Sequence, residues 1–322
     1  MPGNTLGSID VHAHWAPERC VQALAEHGRG VSLQARDPLM YDLDKRIKWM
    51  DEHRVQMHVL TLTGGMMPWQ WAPQDVAVRI ARIVNDAAQE AHIAYPDRFI
   101  AGAALPIRDP ASALQELNRV AGKPGMCAVQ LPNSIEGRDY LFEPEYDAIL
   151  ARCEELGYPL LFHPLDGAAN AYAGPERLVG PSFMSNSLGF PFETATTAAK
   201  FIFSGALDKY PKLEIVLPHS GGAFPYIAGR IEHSINGGAS KIKLQRPFRE
   251  YMRRFHCESL TFYPETLRFL VSLMGADRVV IGTDAYAIMD VKQPNAMTES
   301  LNLPAADQDC ILRANAVKLF RL

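Results

Sequence analysis

Two histidines separated by one residue stand near the start of the chain, in the segment Ile-Asp-Val-His-Ala-His that ends at His14. Alternate side chains of an extended strand point to the same face, so His12 and His14 would share a face, with Asp10 beside them. Two imidazoles on one face supply half of the ligands that a transition-metal site needs. The pair is equally compatible with two exposed histidines on a strand edge, so the choice depends on ligands elsewhere in the chain.

Further polar residues stand at the ends of other short apolar segments. His163 ends Leu-Leu-Phe-His, His219 follows Val-Leu-Pro, and Asp284 ends Ile-Gly-Thr-Asp. Each alone has a structural explanation, as a core histidine, a turn residue before two glycines, or a helix cap. Five such residues at equivalent places indicate one shared site. We expect His12, His14, His163 and Asp284 to bind a metal, and His219 and Asp284 to move protons.

The donor set narrows the kind of metal. Imidazole and carboxylate ligands without thiolates suit zinc, and also manganese, iron or cobalt. A catalytic zinc uses few protein ligands and keeps a position open, so one of the five residues is left for proton transfer. Ligand softness alone does not choose among these metals. We expect a divalent ion, with zinc first and manganese as the alternative. A metal-free binding or scaffold protein is a competing interpretation, and metal analysis of the purified protein would reveal it.

The elements that must position these residues alternate along the chain. Short apolar segments are separated by amphipathic stretches, a pattern typical of repeated βα units. The predicted strands are 8–14, 55–62, 99–105, 126–131, 159–163, 214–219, 254–260 and 278–284, and the predicted helices are 42–53, 73–95, 110–121, 143–156, 192–209, 222–235, 264–274 and 305–319. This order predicts an α/β protein, a (β/α)8 TIM barrel, whose reacting groups lie at the C-terminal ends of the strands. We expect a single domain over 1–322, with long connections at 165–191 and 236–250 inserted over that mouth.

Composition argues against several classes of protein and of partner. The 322 residues include 32 Lys and Arg against 36 Asp and Glu, a net charge of -4, which does not favour nucleic acid or an anionic membrane. No apolar stretch is long enough to span a bilayer, and the N-terminus lacks a secretory pattern, so we expect a cytoplasmic protein. Five scattered cysteines argue against a disulfide framework and against a cysteine-based zinc site.

Several motifs together resemble the amidohydrolase superfamily, and within it the branch of aminocarboxymuconate semialdehyde decarboxylase and the aromatic-acid decarboxylases. They are Asp-Val-His-Ala-His at the start, His163-Pro164, His219-Ser-Gly-Gly-Ala-Phe-Pro, Ile-Gly-Thr-Asp284 and the closing Asn315-Ala316. The resemblance implies one divalent metal on the ligands named above, a catalytic histidine at His219 and a homodimer. It also implies that Arg46 anchors a carboxylate of the substrate. The fourth predicted strand has Gln130 and no lysine, so the bridging lysine of two-metal relatives is absent.

The resemblance implies a metal-dependent, non-oxidative decarboxylase of a carboxylated aromatic or muconate-type small molecule. Trp15 and Tyr286 are candidate aromatic contacts for a flat substrate. The chain departs from these decarboxylases after His163-Pro164, where Leu165 replaces a tryptophan, and after Asp284, where Ala-Tyr-Ala replaces Tyr-Pro-Phe. These changes keep a second function open, a metal-dependent hydrolase or hydratase of a lactone or ring-cleavage product on the same site.

Overall fold

A computed structural model describes residues 7–29, 37–63, 66–165, 178 and 183–322. Its centre is a sheet of eight parallel strands in the order β1 to β8. The strands are β1 Ser8–Trp15, β2 Val55–Leu62, β3 Phe99–Ala104, β4 Met126–Pro132, β5 Leu160–His163, β6 Ile215–Leu217, β7 Phe255–Glu258 and β8 Val279–Val280. Bridges from Ile281 to Asp10 and from Ala285 to Ala13 join the last strand to the first. The predicted (β/α)8 barrel is confirmed.

Helices follow the strands around this barrel. They are α1 Glu18–Glu26, α2 Leu43–Glu52, α3 Gln74–Ala94, α4 Pro110–Val120, α5 Asp147–Leu156, α6 Phe190–Phe203, α7 Ala206–Lys209, α8 Phe224–Asn236, α9 Phe248–Met252, α10 Pro264–Met274, α11 Ala296–Ser300, α12 Ala305–Asp309 and α13 Asn315–Phe320. The predicted helix at 192–209 is two helices, because Gly205 adopts a left-handed conformation (φ 75°) between them. Among the described residues, no helix is long and apolar enough to cross a membrane.

Alternation along the strands divides the core into two layers. In β5, Leu160 packs in the large cluster that includes the helices, whereas Leu161 belongs to a second cluster formed by residues of the barrel strands. That second cluster also contains Leu319 and Phe320 of α13. Arg321, just beyond α13, donates a hydrogen bond to the carbonyl of Leu156, close to where β5 begins. The C-terminal segment therefore closes the N-terminal end of the barrel, and the opposite end holds the candidate site.

The two long connections differ from each other. Most of 165–191 lies outside the described residues, so its place over the mouth stays a prediction. The prediction that 236–250 crosses the mouth is wrong. This segment leaves α8 and leads through α9 into β7. A connection from a helix to the next strand lies at the N-terminal end of a parallel barrel, away from the mouth.

Candidate metal centre at the barrel mouth

The two histidines of β1 lie side by side, with their Nε2 atoms 3.2 Å apart. The pairing of β1 with β2 shifts register between Asp10 and Ala13, so simple alternation along β1 is interrupted there. Asp10 does not join the histidines. Its carboxylate accepts hydrogen bonds from the Thr283 hydroxyl (2.5 Å) and from the backbone N–H groups of His12 and Thr283. The predicted place of Asp10 beside the pair is therefore wrong.

The other predicted ligands converge on this pair. His163 ends β5, His219 lies in the turn after β6, and Asp284 follows β8. One ligand atom each from His12, His163, His219 and Asp284 lies within 4.8 Å of the others. Asp284 Oδ1 is 2.9 Å from His14 Nε2 and 3.4 Å from His12 Nε2. The structure thus brings together all five residues that the sequence placed at the site.

Hydrogen bonds orient two of the imidazoles. His163 Nδ1 lies 2.7 Å from the carbonyl oxygen of Pro164, which can only accept, so the proton is on Nδ1 and the Nε2 lone pair is free. His12 Nδ1 lies 2.9 Å from Glu258 Oε2, which also accepts the backbone N–H of His219. Both rings therefore present Nε2 to the cluster, as metal-binding histidines do.

Burial keeps the clustered imidazoles neutral. It lowers the pKa of His12 and of His219 to about 3, and the pKa of His163 well below its ordinary value, with neighbouring imidazoles adding to the effect in each case. Burial likewise lowers the pKa of His58, a fully buried residue of β2 that pairs with Asp10 of β1. Neutral imidazole is the form that binds metals.

The donor geometry fits a cation. His12 Nε2, with its lone pair free, faces the Asp284 carboxylate oxygen Oδ1 3.4 Å away. Asp284 Oδ1 is buried, and within the part of the chain that the structure describes it has no hydrogen-bond donor. Electron-rich atoms held this close repel one another unless a positive charge lies between them. The site therefore suits one divalent ion bound through nitrogen and oxygen.

Glu258 is a buried residue of the site that the sequence interpretation did not assign. It lies at the end of β7, 3% exposed, and one of its oxygens contacts both His12 and the backbone of His219. Burial raises its pKa well above the ordinary value, while the N–H of His219 lowers it. The signal that could have found it is the one that found the others, a polar residue at the end of a predicted strand.

The three residues predicted to contact the substrate are all buried. Arg46 is fully buried and donates a hydrogen bond to the carbonyl of His14, and its guanidinium lies 4.9 Å from the ring centroid of Tyr286. Tyr286 is 6% exposed, and Trp15, 4% exposed, belongs to the core cluster that includes the helices. The structure thus places Arg46 and Tyr286 together beside β1 and packs Trp15 into the core. Their roles toward a substrate stay predictions.

Comparisons of the whole chain with known proteins identify its family. The family model described as "Amidohydrolase" matches residues 9–322. The chain belongs to the amidohydrolase family. This amidohydrolase is 29% identical to 2-amino-3-carboxymuconate-6-semialdehyde decarboxylase of Dictyostelium discoideum, over 98% of this chain and 91% of the relative. It is 30% identical to the gamma-resorcylate decarboxylase of Rhizobium sp. strain MTP-10005, over 98% of both chains.

A solved structure extends the comparison to the fold. It is a dihydroxybenzoic acid decarboxylase from Polaromonas sp. JS666 with bound manganese and the inhibitor 2-nitroresorcinol. The two structures superpose with a TM-score of 0.81 at 28% identity, over 98% of this amidohydrolase and 97% of the Polaromonas chain. The family expected from the motifs is confirmed.

Proposed function

We propose that this amidohydrolase releases carbon dioxide from a carboxylated aromatic or muconate-type small molecule, in a reaction that needs no oxidant. The enzyme is a metal-dependent decarboxylase, a carbon–carbon lyase, as the sequence predicted and as its named relatives support. The observation that carries the proposal is the cluster of neutral imidazoles and one carboxylate at the ends of four strands. We also propose that 1–322 form one domain.

The residues of the site divide between binding and proton transfer. We assign His12, His14, His163 and Asp284 to a divalent ion, which when bound polarises oxygen atoms of the substrate. The buried Nδ1 of His219 has no hydrogen-bond partner among the described residues, so this ring is assigned to carry a proton from water to the substrate. Burial lowers the pKa of His219 to about 3, so its protonated form would give the proton up readily. The carbon that bears the carboxylate gains this proton. Its bond to the carboxyl carbon then breaks, the electron pair restores conjugation, and carbon dioxide leaves.

The identity of the ion is a separate proposal. Zinc is expected from the ligand types, and manganese is bound in the Polaromonas structure. We propose one ion per chain, of one of these two metals. Metal analysis of protein purified without added metal, followed by reloading with each ion, distinguishes them. The more active form at equal loading identifies the working metal.

We further propose that a substrate carboxylate is held by Arg46, that the enzyme works as a homodimer and that it is cytoplasmic. Support for the dimer comes from an exposed aromatic surface formed by Tyr226, Phe262, Tyr263 and Phe269, because large exposed apolar patches often mark contacts between chains. The rings of Tyr226 and Phe269 stack with centroids 4.7 Å apart. Light scattering on Phe269→Lys and on the unchanged protein tests this, and a monomer in both cases contradicts it.

The reaction is tested with a panel of hydroxybenzoates and carboxymuconates. Released carbon dioxide and the product mass are measured in water enriched in oxygen-18. A decarboxylase gives carbon dioxide and an organic product without the heavy oxygen. Incorporation of oxygen-18 into the organic product without carbon dioxide would support the hydrolase or hydratase interpretation. Chelator-treated protein is the control for both outcomes.

A further inference from the structure

We propose that Glu258 is a positioning residue that holds His12 and His219 in a fixed relation through one carboxylate oxygen. Oε2 lies 2.9 Å from His12 Nδ1 and 2.8 Å from the backbone nitrogen of His219. Because the proposal takes His12 as a metal ligand and His219 as the proton carrier, it rests on the proposed function. Glu258 would thus influence both metal binding by His12 and proton transfer by His219, although its carboxylate acts through these two residues and does not itself bind the metal or the substrate.

The contact with His12 orients a metal ligand. With Nδ1 held by Glu258, the opposite ring nitrogen, Nε2, faces His14 and Asp284. A carboxylate behind a metal-binding imidazole fixes its tautomer and makes the metal-facing nitrogen more basic. Loss of such a partner typically lowers metal affinity about 10- to 100-fold. Glu258 is therefore expected to tighten metal binding without touching the ion.

The contact with His219 holds an unusual backbone turn. His219, Ser220, Gly221 and Gly222 all have positive φ, at 50°, 62°, 77° and 58°. The two glycines adopt this conformation readily, but His219 and Ser220 are strained in it. Two hydrogen bonds hold the strained residues, one from His219 N–H to Glu258 and one from the Ser220 hydroxyl to the carbonyl of Leu260 (2.6 Å). Glu258 thus fixes the backbone from which the catalytic imidazole projects.

Gly282, in the segment that follows β8, leaves room for the Glu258 side chain. A Cβ atom on Gly282 would lie 2.7 Å from Glu258 Cγ and 2.8 Å from Glu258 Cβ and Cδ, closer than real Cβ contacts allow. Gly282 does not have a positive φ, so alanine fits its backbone. Gly282→Ala therefore displaces the Glu258 side chain without removing its carboxylate, and serves as a second, independent perturbation.

The test compares substitutions that keep or lose the shared oxygen. Glu258→Gln retains an oxygen that can accept both N–H groups, whereas Glu258→Asp is shorter by one methylene and cannot reach them. Glu193→Gln is the matched control, because Glu193 is also 3% exposed and its carboxylate accepts a hydrogen bond from the Ser134 hydroxyl instead of a histidine. Metal dissociation constants by chelator competition, thermal unfolding and kcat at saturating metal are measured for each variant.

We expect Glu258→Asp and Gly282→Ala to weaken metal binding about 10- to 100-fold. Both should also lower kcat after metal saturation, since the His219 turn is released. Glu258→Gln should lose less metal affinity and less kcat than these two variants. Glu193→Gln should keep both unchanged. Folded Asp and Ala variants with unchanged metal affinity and kcat would overturn the proposal. That failure is distinct from failure of the proposed function, in which the unchanged protein itself neither binds a metal nor decarboxylates.

Discussion

The division of labour between His14 and His219 can be tested by matched substitutions to glutamine. The ring nitrogen of His219 lies within 4.8 Å of the ligand atoms of His12, His163 and Asp284, so geometry alone permits it to bind the ion. His14 Nε2 is only 2.9 Å from Asp284 Oδ1 and 3.2 Å from His12 Nε2. We therefore assign His14 to the metal and His219 to the proton.

Under this assignment, His219→Gln keeps its metal and loses the chemical step. A positioned acid or base typically contributes about 10²- to 10⁴-fold to the rate, and each tenfold corresponds to about 1.4 kcal/mol of activation free energy. The expected fall in kcat thus corresponds to a rise of about 3 to 6 kcal/mol in the activation free energy. His14→Gln should lose activity because it loses the ion.

The assay measures metal per chain after gel filtration, and carbon dioxide release at saturating metal. Added metal should restore part of the activity of His14→Gln and none of that of His219→Gln. If His219→Gln loses its metal as readily as His14→Gln, the reasoning is refuted. Retention of metal by His14→Gln together with its loss by His219→Gln would exchange the two roles.

Three further predictions concern stability. Arg46→Met removes the hydrogen bond that the buried guanidinium donates to the His14 carbonyl, so the free energy of unfolding in urea should fall by about 1–3 kcal/mol, and an equal or greater stability would contradict the contact. Gln130→Leu removes both hydrogen bonds of the side-chain amide to the backbone of Leu62 (2.9 and 2.7 Å), and should cost about 2–6 kcal/mol in the same assay. Chelator-treated protein should lose stability as pH falls below about 6.5, because the four buried histidines with lowered pKa bind protons only after unfolding, each adding up to about 1.4 kcal/mol per pH unit. The raised pKa values of Asp10 (about 7) and Glu258 act in the opposite direction and offset part of this slope, so a protein more stable at pH 5.5 than at pH 7 would count against the burial.

The site was predictable where it depended on strand ends. His163 ends a run of apolar residues and is followed by proline, so its place at the end of β5 can be read from the sequence. Asp284 follows β8 by four residues, yet the closure of the barrel through Ala285 returns it to β1. In a parallel barrel all such ends meet at one mouth, whatever the exact length of each strand. Errors in strand boundaries therefore did not displace the predicted ligands.

Features that depend on contacts across the barrel were not predictable in this way. The register shift in β1 turns Asp10 toward Thr283, and no local pattern marks it. Arg46 and Met50 are the buried residues of α2, four positions apart, so the helix buries a guanidinium on its apolar face. Sequence periodicity treats such a charge as exposed. The place of the 236–250 segment follows from its position after a helix, which length alone did not reveal.

The central claim is that the strand-end cluster holds one ion and that this ion supports decarboxylation. Titration of chelator-treated protein with Mn²⁺ or Zn²⁺, with carbon dioxide release measured at each addition, tests it most directly. Activity should rise linearly to one equivalent of metal per chain and then stay constant, and Asp284→Asn should abolish the response. Activity that survives complete metal removal, or that needs a second equivalent, would contradict it.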